Sequence, residues 1–171
     1  AWFADYPPLS ADGMTRLGAT LMASGKAAKG HGVLRETWIT GNFTKVRERA
    51  FYKSFRHLLT RDDHLLRLDR LLWEGRYWPV RRMLWKVNPG YRALSNARIH
   101  LRRKAGNVDR LIEQVPIEYK NDPGLIYERL RWRRLRPAVW EAVAHAGKSV
   151  RKQRVDRLGT SAVTTATRSA G

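Results

Sequence analysis

The 171-residue chain contains no cysteine, which removes disulfides, thiolate nucleophiles and zinc sites built on cysteine. No apolar run approaches the roughly 20 residues that a bilayer-spanning helix needs, so no membrane span is expected. The opening, Ala1-Trp2-Phe3-Ala4-Asp5-Tyr6-Pro7-Pro8, lacks the basic-then-apolar layout of a secretion signal and does not begin with Met. It reads as the interior of a longer or processed protein whose address lay upstream. Runs that alternate apolar and polar residues between hairpin turns are also missing, so sheet content near zero is expected. Acidic residues are scarce: 15 Asp plus Glu face 34 Lys plus Arg, a net charge of +19. Such a surface favours anionic partners, whether nucleic acid, anionic lipid or a carboxylate-rich polymer. Charge alone does not choose among them.

The residues that usually carry chemistry are present without their company. Five histidines occur, but there is no His pair at i, i+4 and no H-E-x-x-H, so no metal site is expected. The pairs Asp62/Asp69, Asp69/Glu74 and Glu113/Glu118 each lie within a few residues of Arg or Lys. That favours ordinary ionised carboxylates over a tuned acid and base. Gly25-Lys26 and Gly30-His31-Gly32 lack the G-x-x-x-x-G-K-[ST] order and a preceding strand. No catalytic residue and no cofactor are assigned.

What the sequence does carry is a stripe used three times. Val80, Met83, Leu84 and Val87, then Val108, Leu111, Ile112 and Val115, then Val139, Ala142, Val143 and Ala146 follow i, i+3, i+4, i+7 spacing. That spacing sets four side chains on one helix face. The stripes begin 28 and 31 residues apart, the mark of a helical repeat whose short units must stack to bury their faces. Helix starts recur ahead of the stripes: Thr60-Arg61-Asp62-Asp63 resembles a capping box, and Asn88-Pro89-Gly90 and Asn121-Asp122-Pro123-Gly124 place Pro behind a capping residue. Gly75, Gly106 and Pro137, each 31 residues after the last, separate the helices of each pair. Hairpins are expected at about 61–87, 89–115 and 122–146.

Upstream, Ser10 is expected to cap a helix ending near Ser24 and Gly25, followed by a helix from Lys26 to Thr40 and one opened by Thr44. In the last, Val46, Phe51, Phe55 and Leu58 are candidate buried positions. The reading is an all-α superhelical array, an α-solenoid of antiparallel hairpins of tetratricopeptide-like kind over 1–146. Residues 147–171, basic and then rich in Ser, Thr and Ala, are expected to form a flexible tail.

Arginines cluster at Arg81-Arg82, Arg102-Arg103-Lys104 and Arg131 through Arg136, near Trp73, Trp78, Trp85 and Trp132. Arg81, Arg82, Arg102, Arg103, Arg131, Arg133 and Arg134 are the candidate ligand-binding residues, since Arg forks grip carboxylates or phosphates. The structural alternative is that Arg102 to Lys104 and Arg131 to Arg134 stabilise the negative ends of their own helices. The tryptophans are read as mainly core residues.

The hairpin text also resembles a known family. Leu68-Asp69-Arg70-Leu71-Leu72-Trp73-Glu74-Gly75-Arg76-Tyr77 with Val80-Arg81-Arg82-Met83-Leu84, Tyr91-Arg92-Ala93-Leu94 through Ala97-Arg98-Ile99, and Asp122-Pro123-Gly124-Leu125-Ile126-Tyr127-Glu128-Arg129-Leu130-Arg131-Trp132 carry the likeness. They resemble the superhelical (U/L-type) region of soluble lytic murein transglycosylases. The likeness is closest over about Arg56 to Arg134, extends more weakly to Trp2, and fades after Leu135. It implies a periplasmic parent enzyme whose separate lysozyme-like domain cleaves peptidoglycan to 1,6-anhydro products. That domain's Glu-Ser pair and Gly-x-Met-Gln motif do not occur here, so no catalytic role is carried over. The expected function is a non-catalytic scaffold segment that binds or orients the glycan strand, with the parent's catalytic domain as partner. The alternatives are a basic helical-repeat module for RNA or another acidic polymer, and a protein-interaction scaffold.

Overall fold

The computed structural model describes residues 8–134. All regular structure among them is helical, with no strand. Pro137, the stripe Val139 to Ala146 and the segment 147–171 lie outside the described residues. The chain divides into two units, one ending at Ile126 and one starting at Tyr127, and each is described by itself.

The helices are α1 (Ala11–Ala23), α2 (Ala27–Thr40), α3 (Lys45–Phe55), α4 (Arg61–Trp73), α5 (Tyr77–Met83), α6 (Pro89–Arg102) and α7 (Val108–Glu113). Residues 123–134 form a further helix, α8. Tight 3-10 turns follow α3 at Arg56–Leu58, α5 at Leu84–Lys86 and α7 at Ile117–Tyr119. The starts fall where capping chemistry puts them. The Ser10, Thr44 and Asn88 side chains accept from the backbone N–H of Gly13, Arg47 and Tyr91. At α4 the capping box is complete: Asp63 N–H donates to Thr60 Oγ1 at 3.2 Å and Thr60 N–H to Asp63 Oδ2 at 2.7 Å. Asp122, not Asn121, caps α8, accepting from Leu125 N–H at 2.8 Å.

Helices adjacent in sequence pack together: α1 on α2, α4 on α5, α6 on α7. Gly75 has φ +72° and turns the chain from α4 into α5. At the corresponding α6–α7 turn, the positive φ values belong to Lys104 and Asn107 instead of Gly106. The first stripe is fully internal, with Val80, Met83, Leu84 and Val87 all buried, although the α-helix ends at Met83 and a 3-10 turn carries the last contacts. In the second stripe Val108 and Val115 are buried, while Leu111 and Ile112 are half-buried.

The core of the first unit is built around Trp38, which is stacked on Phe51 at 5.5 Å between ring centroids and flanked by Phe43 and Tyr52. Phe51, Phe55 and Leu58 face inward as their spacing predicts, but Val46 is 75% exposed. The buried position on the first turn of α3 belongs to Glu48. This inversion follows from charge: Glu48 accepts both Arg82 Nε at 3.1 Å and Arg82 Nη2 at 2.9 Å, and pairs with Arg67 at 3.4 Å. Burial of a carboxylate is tolerated where two guanidiniums satisfy it.

Arginines join one helix pair to the next. From α4, Arg67 donates to the carbonyls of Trp38 and Gly41, and Arg70 donates to those of Ile39 and Gly41. They satisfy carbonyls that the end of α2 leaves unpaired. From α6, Arg102 donates in the same way to the carbonyls of Leu72 and Trp73 at the end of α4. Arg98, also buried, bonds Asp69 at 2.7 Å and lies 3.5 Å from Asp122.

Gly30 and Gly32 lie inside α2, where glycine weakens a helix. The structure separates them: Gly30 is buried against the backbone of Gly18 in α1, whereas a Cβ at Gly32 would meet nothing within 4 Å. Gly30→Ala would force a Cβ to within 2.8 Å of Gly18 O and 2.9 Å of Met22 N. It should destabilise the protein by about 1–3 kcal/mol through overpacking. Gly32→Ala should stabilise it by up to about 1 kcal/mol through helix propensity. Thermal unfolding of the two variants checks this opposite pair of signs.

Candidate binding groove on the basic face

Helix α3 presents Arg49 and Lys53 one turn apart, and Arg56 continues the row into the 3-10 turn. All three are exposed. Across from them, α5 and the turn after it supply Arg82, Trp85 and Lys86. Together with Tyr52, Glu48 and an edge of Trp38, these residues line a groove of about 840 Å³, within the range of small-ligand clefts. Among the described residues that line the groove, Glu48 is the only carboxylate, and it is already held by Arg67 and Arg82. Among the described residues, no carboxylate lies within ion-pair distance of Arg49, Lys53, Arg56 or Lys86.

The groove's aromatic wall is specific in geometry. Tyr52 and Trp85 meet edge to face, with centroids 5.8 Å apart and planes at 88°. The Lys86 ammonium lies over both rings, 3.0 Å from the Tyr52 centroid and 3.6 Å from the Trp85 centroid, a cation–π arrangement. Burial pushes the Lys86 ammonium down to about 8; the Glu48 carboxylate opposes this and Arg67 adds to it. Trp85 is 63% exposed although Lys86 covers one face. Most of the indole is therefore accessible from solvent.

Below the groove, Trp38 Nε1–H donates to His64 Nδ1 at 3.1 Å, which requires neutral His64 to carry its proton on Nε2. Burial, then the charge of Lys86, lower the His64 pKa; Asp63 opposes them and Arg67 adds a smaller lowering. Burial pushes the Asp63 carboxyl up, but hydrogen bonds from Arg35 and Thr60 outweigh it and hold the group below the usual carboxylate range.

The structure gives the candidate arginines different tasks. Arg82 reaches the groove but is bound to Glu48. Arg102 joins α6 to the end of α4. It therefore supports the carboxyl end of α4, two helices earlier in the chain. Arg103 lies over Tyr77, 4.2 Å from the ring centroid, and Arg81 is exposed. Arg131, Arg133 and Arg134 are exposed in the second unit, where Arg131 lies 3.5 Å from Glu128. Within the first unit, of Arg81, Arg82, Arg102 and Arg103, only Arg82 lines the groove. Trp73, Trp78 and Trp85 are 43%, 70% and 63% exposed, which corrects their reading as core residues; among the described tryptophans Trp38 is the fully buried one.

Arg49, Lys53, Arg56 and Lys86 were outside the candidate set. The i, i+4, i+7 row of cations after the Thr44 cap was their available signal. No cluster of three or more His, Asp or Glu that could hold a metal occurs among the described residues. No helix among them is long and apolar enough to cross a membrane. Comparison with protein families, curated proteins and solved structures finds no match to this chain.

Two measurements follow from these environments. His64 has a folded pKa below its unfolded value of about 6.5, so the unfolded chain takes up the proton first. Stability is therefore complete above that value and should fall as pH drops through and below it. His64→Gln should flatten that part of a melting-temperature profile relative to the parent. Lys86, at about 8 against about 10.4 for an ordinary lysine, should be acylated ahead of exposed lysines by limiting reagent near neutral pH. Peptide mapping of the modified chain reads the order.

Proposed function

We propose that the chain is a non-catalytic scaffold segment of a peptidoglycan lytic transglycosylase, binding and orienting the glycan strand in the periplasm. In this reading the helix pairs form an α-solenoid of antiparallel hairpins with tetratricopeptide-like stacking. Cleavage belongs to a catalytic domain of the same parent protein. The observation that carries the binding role is the groove whose cations have no carboxylate partner among the described residues, beside the exposed indole of Trp85. The family assignment rests on the resemblance of the hairpin text. That text includes residues that join the helices here, Asp69, Arg70, Gly75 and Arg98.

Peptidoglycan offers what such a groove accepts: carboxylates on its stem peptides for the cations, and pyranose rings whose C–H faces pack on an aromatic plane. The exposed tryptophans and the net charge of +19 would equally attract RNA, whose bases stack on aromatic side chains. Sedimentation of the purified chain with sacculi distinguishes the two. The chain should co-sediment, lose binding as salt rises through the range where the Debye length drops below about 10 Å, and release no anhydro-muropeptides. Tighter binding to single-stranded RNA than to sacculi at equal salt overturns the glycan reading. Release of anhydro products overturns the non-catalytic assignment.

A further inference from the structure

We infer that the groove between α3 and the Trp85–Lys86 turn is a subsite for one carboxylate-bearing stem peptide, with the sugar ring that carries it stacked on the exposed indole of Trp85. The inference rests on the glycan reading above and assigns it a place and a chemical selectivity.

Length supports the peptide. From Arg49 to Arg56 the helix advances seven residues, about 10 Å at about 1.5 Å per residue. An extended peptide covers that distance in about three residues. A short peptide lying along α3 thus passes Arg49, Lys53 and Arg56 in turn, and carboxylates at its branch and its end would each find a cation. The row has no internal anion to displace, because the groove's one carboxylate, Glu48, is buried beneath Arg82. An incoming carboxylate therefore competes with water alone.

The aromatic wall supports a single ring. Tyr52 and Trp85 stand perpendicular with Lys86 over both rings, and Trp38 is fully buried, so among the described aromatic residues lining the groove Trp85, 63% exposed, offers the largest accessible ring. A sequence-tolerant nucleic-acid groove stacks successive bases on successive aromatic side chains, and this groove has one such position. A branched ligand with one ring next to one charged strand matches the layout better than a polymer carrying a ring and a charge at every unit. Lys86 fixes the indole from behind and keeps a positive charge at the junction of ring and peptide.

The test uses the purified full chain and a soluble disaccharide-tetrapeptide muropeptide, with binding followed by calorimetry. Arg49, Lys53 and Arg56 are exposed and outside the core, so the triple variant R49Q/K53Q/R56Q should fold and melt at or slightly above the temperature of the parent, since it relieves their mutual repulsion. It should bind the muropeptide about tenfold or more weakly, since each exposed charge contact is worth only a few-fold singly. Amidation of the peptide carboxyls should weaken binding to the parent chain to a similar extent. Trp85→Ala should weaken binding of the muropeptide while leaving that of the sugar-free tetrapeptide unchanged. Arg76→Gln, whose side chain pairs with Glu74 away from the groove, should change neither. Unchanged muropeptide affinity in the triple variant, with sacculi still bound, overturns the subsite and leaves the glycan reading standing. A parent chain that binds neither sacculi nor muropeptide overturns the glycan reading and the subsite with it. An RNA oligonucleotide that binds the parent tightly and loses affinity in the triple variant reassigns the groove to nucleic acid and overturns the proposal.

Discussion

The helices of the first unit are held in place by arginines that reach across from one pair to the carbonyls ending an earlier helix. An α-helix leaves its last four carbonyls unpaired, and short helices have proportionally more such ends. Arg67 and Arg70 satisfy the end of α2. Arg102 satisfies the end of α4. Buried and positively charged, Arg67 needs more than carbonyls, and Glu48 and the face of Trp38 at 4.4 Å supply the rest. Burial pushes its pKa down to about 10, so the guanidinium remains charged at neutral pH. From this arrangement follow the inward position of Glu48, the rotation of α3 that exposes Val46, and the placement of Arg82 at the floor of the groove.

Local chemistry made most helix starts legible, because a cap is written in the residues that perform it. Ser10, Thr44, Thr60 and Asn88 each accept the bond their spacing implied. Helix ends were less legible. The first stripe kept its burial while the α-helix gave way to a 3-10 turn after Met83, since apolar spacing constrains which side faces inward and not the hydrogen-bond register. Gly30 is unfavourable within α2 on helix propensity alone. Its reason is tertiary: only a residue without Cβ lets α1 and α2 approach there.

The groove was harder to read because its parts come from segments about 30 residues apart and because residue type misled in two directions. Arginines in dense clusters drew attention, yet Arg82 and Arg102 are committed to internal partners. Tryptophan suggested core, yet Trp73, Trp78 and Trp85 lie substantially outside it. Arg67 and Arg98 stand 31 residues apart, the same interval as Gly75 and Gly106. Both are buried beneath an indole, at 4.4 Å from the Trp38 centroid and 5.1 Å from the Trp73 centroid. That shared interval was the available sign that some of the charge belongs to the framework.

The positive charge thus falls into two groups with opposite responses to salt. Arginines bonded to carbonyls and buried carboxylates act at short range and in partial burial, where screening is weak. The row Arg49, Lys53 and Arg56 is exposed, and like charges one turn apart destabilise a helix by a few tenths of a kcal/mol each. Added salt relieves that repulsion and so favours the unliganded fold, while it weakens the attraction of the same row for an anion. A bound anion neutralises the row directly and stabilises the folded state by mass action. A groove whose cations were incidental would show the first salt effect without the second. The proposed subsite requires that the two effects be coupled through one set of side chains, so that the anion the row attracts is also what relieves its repulsion within α3.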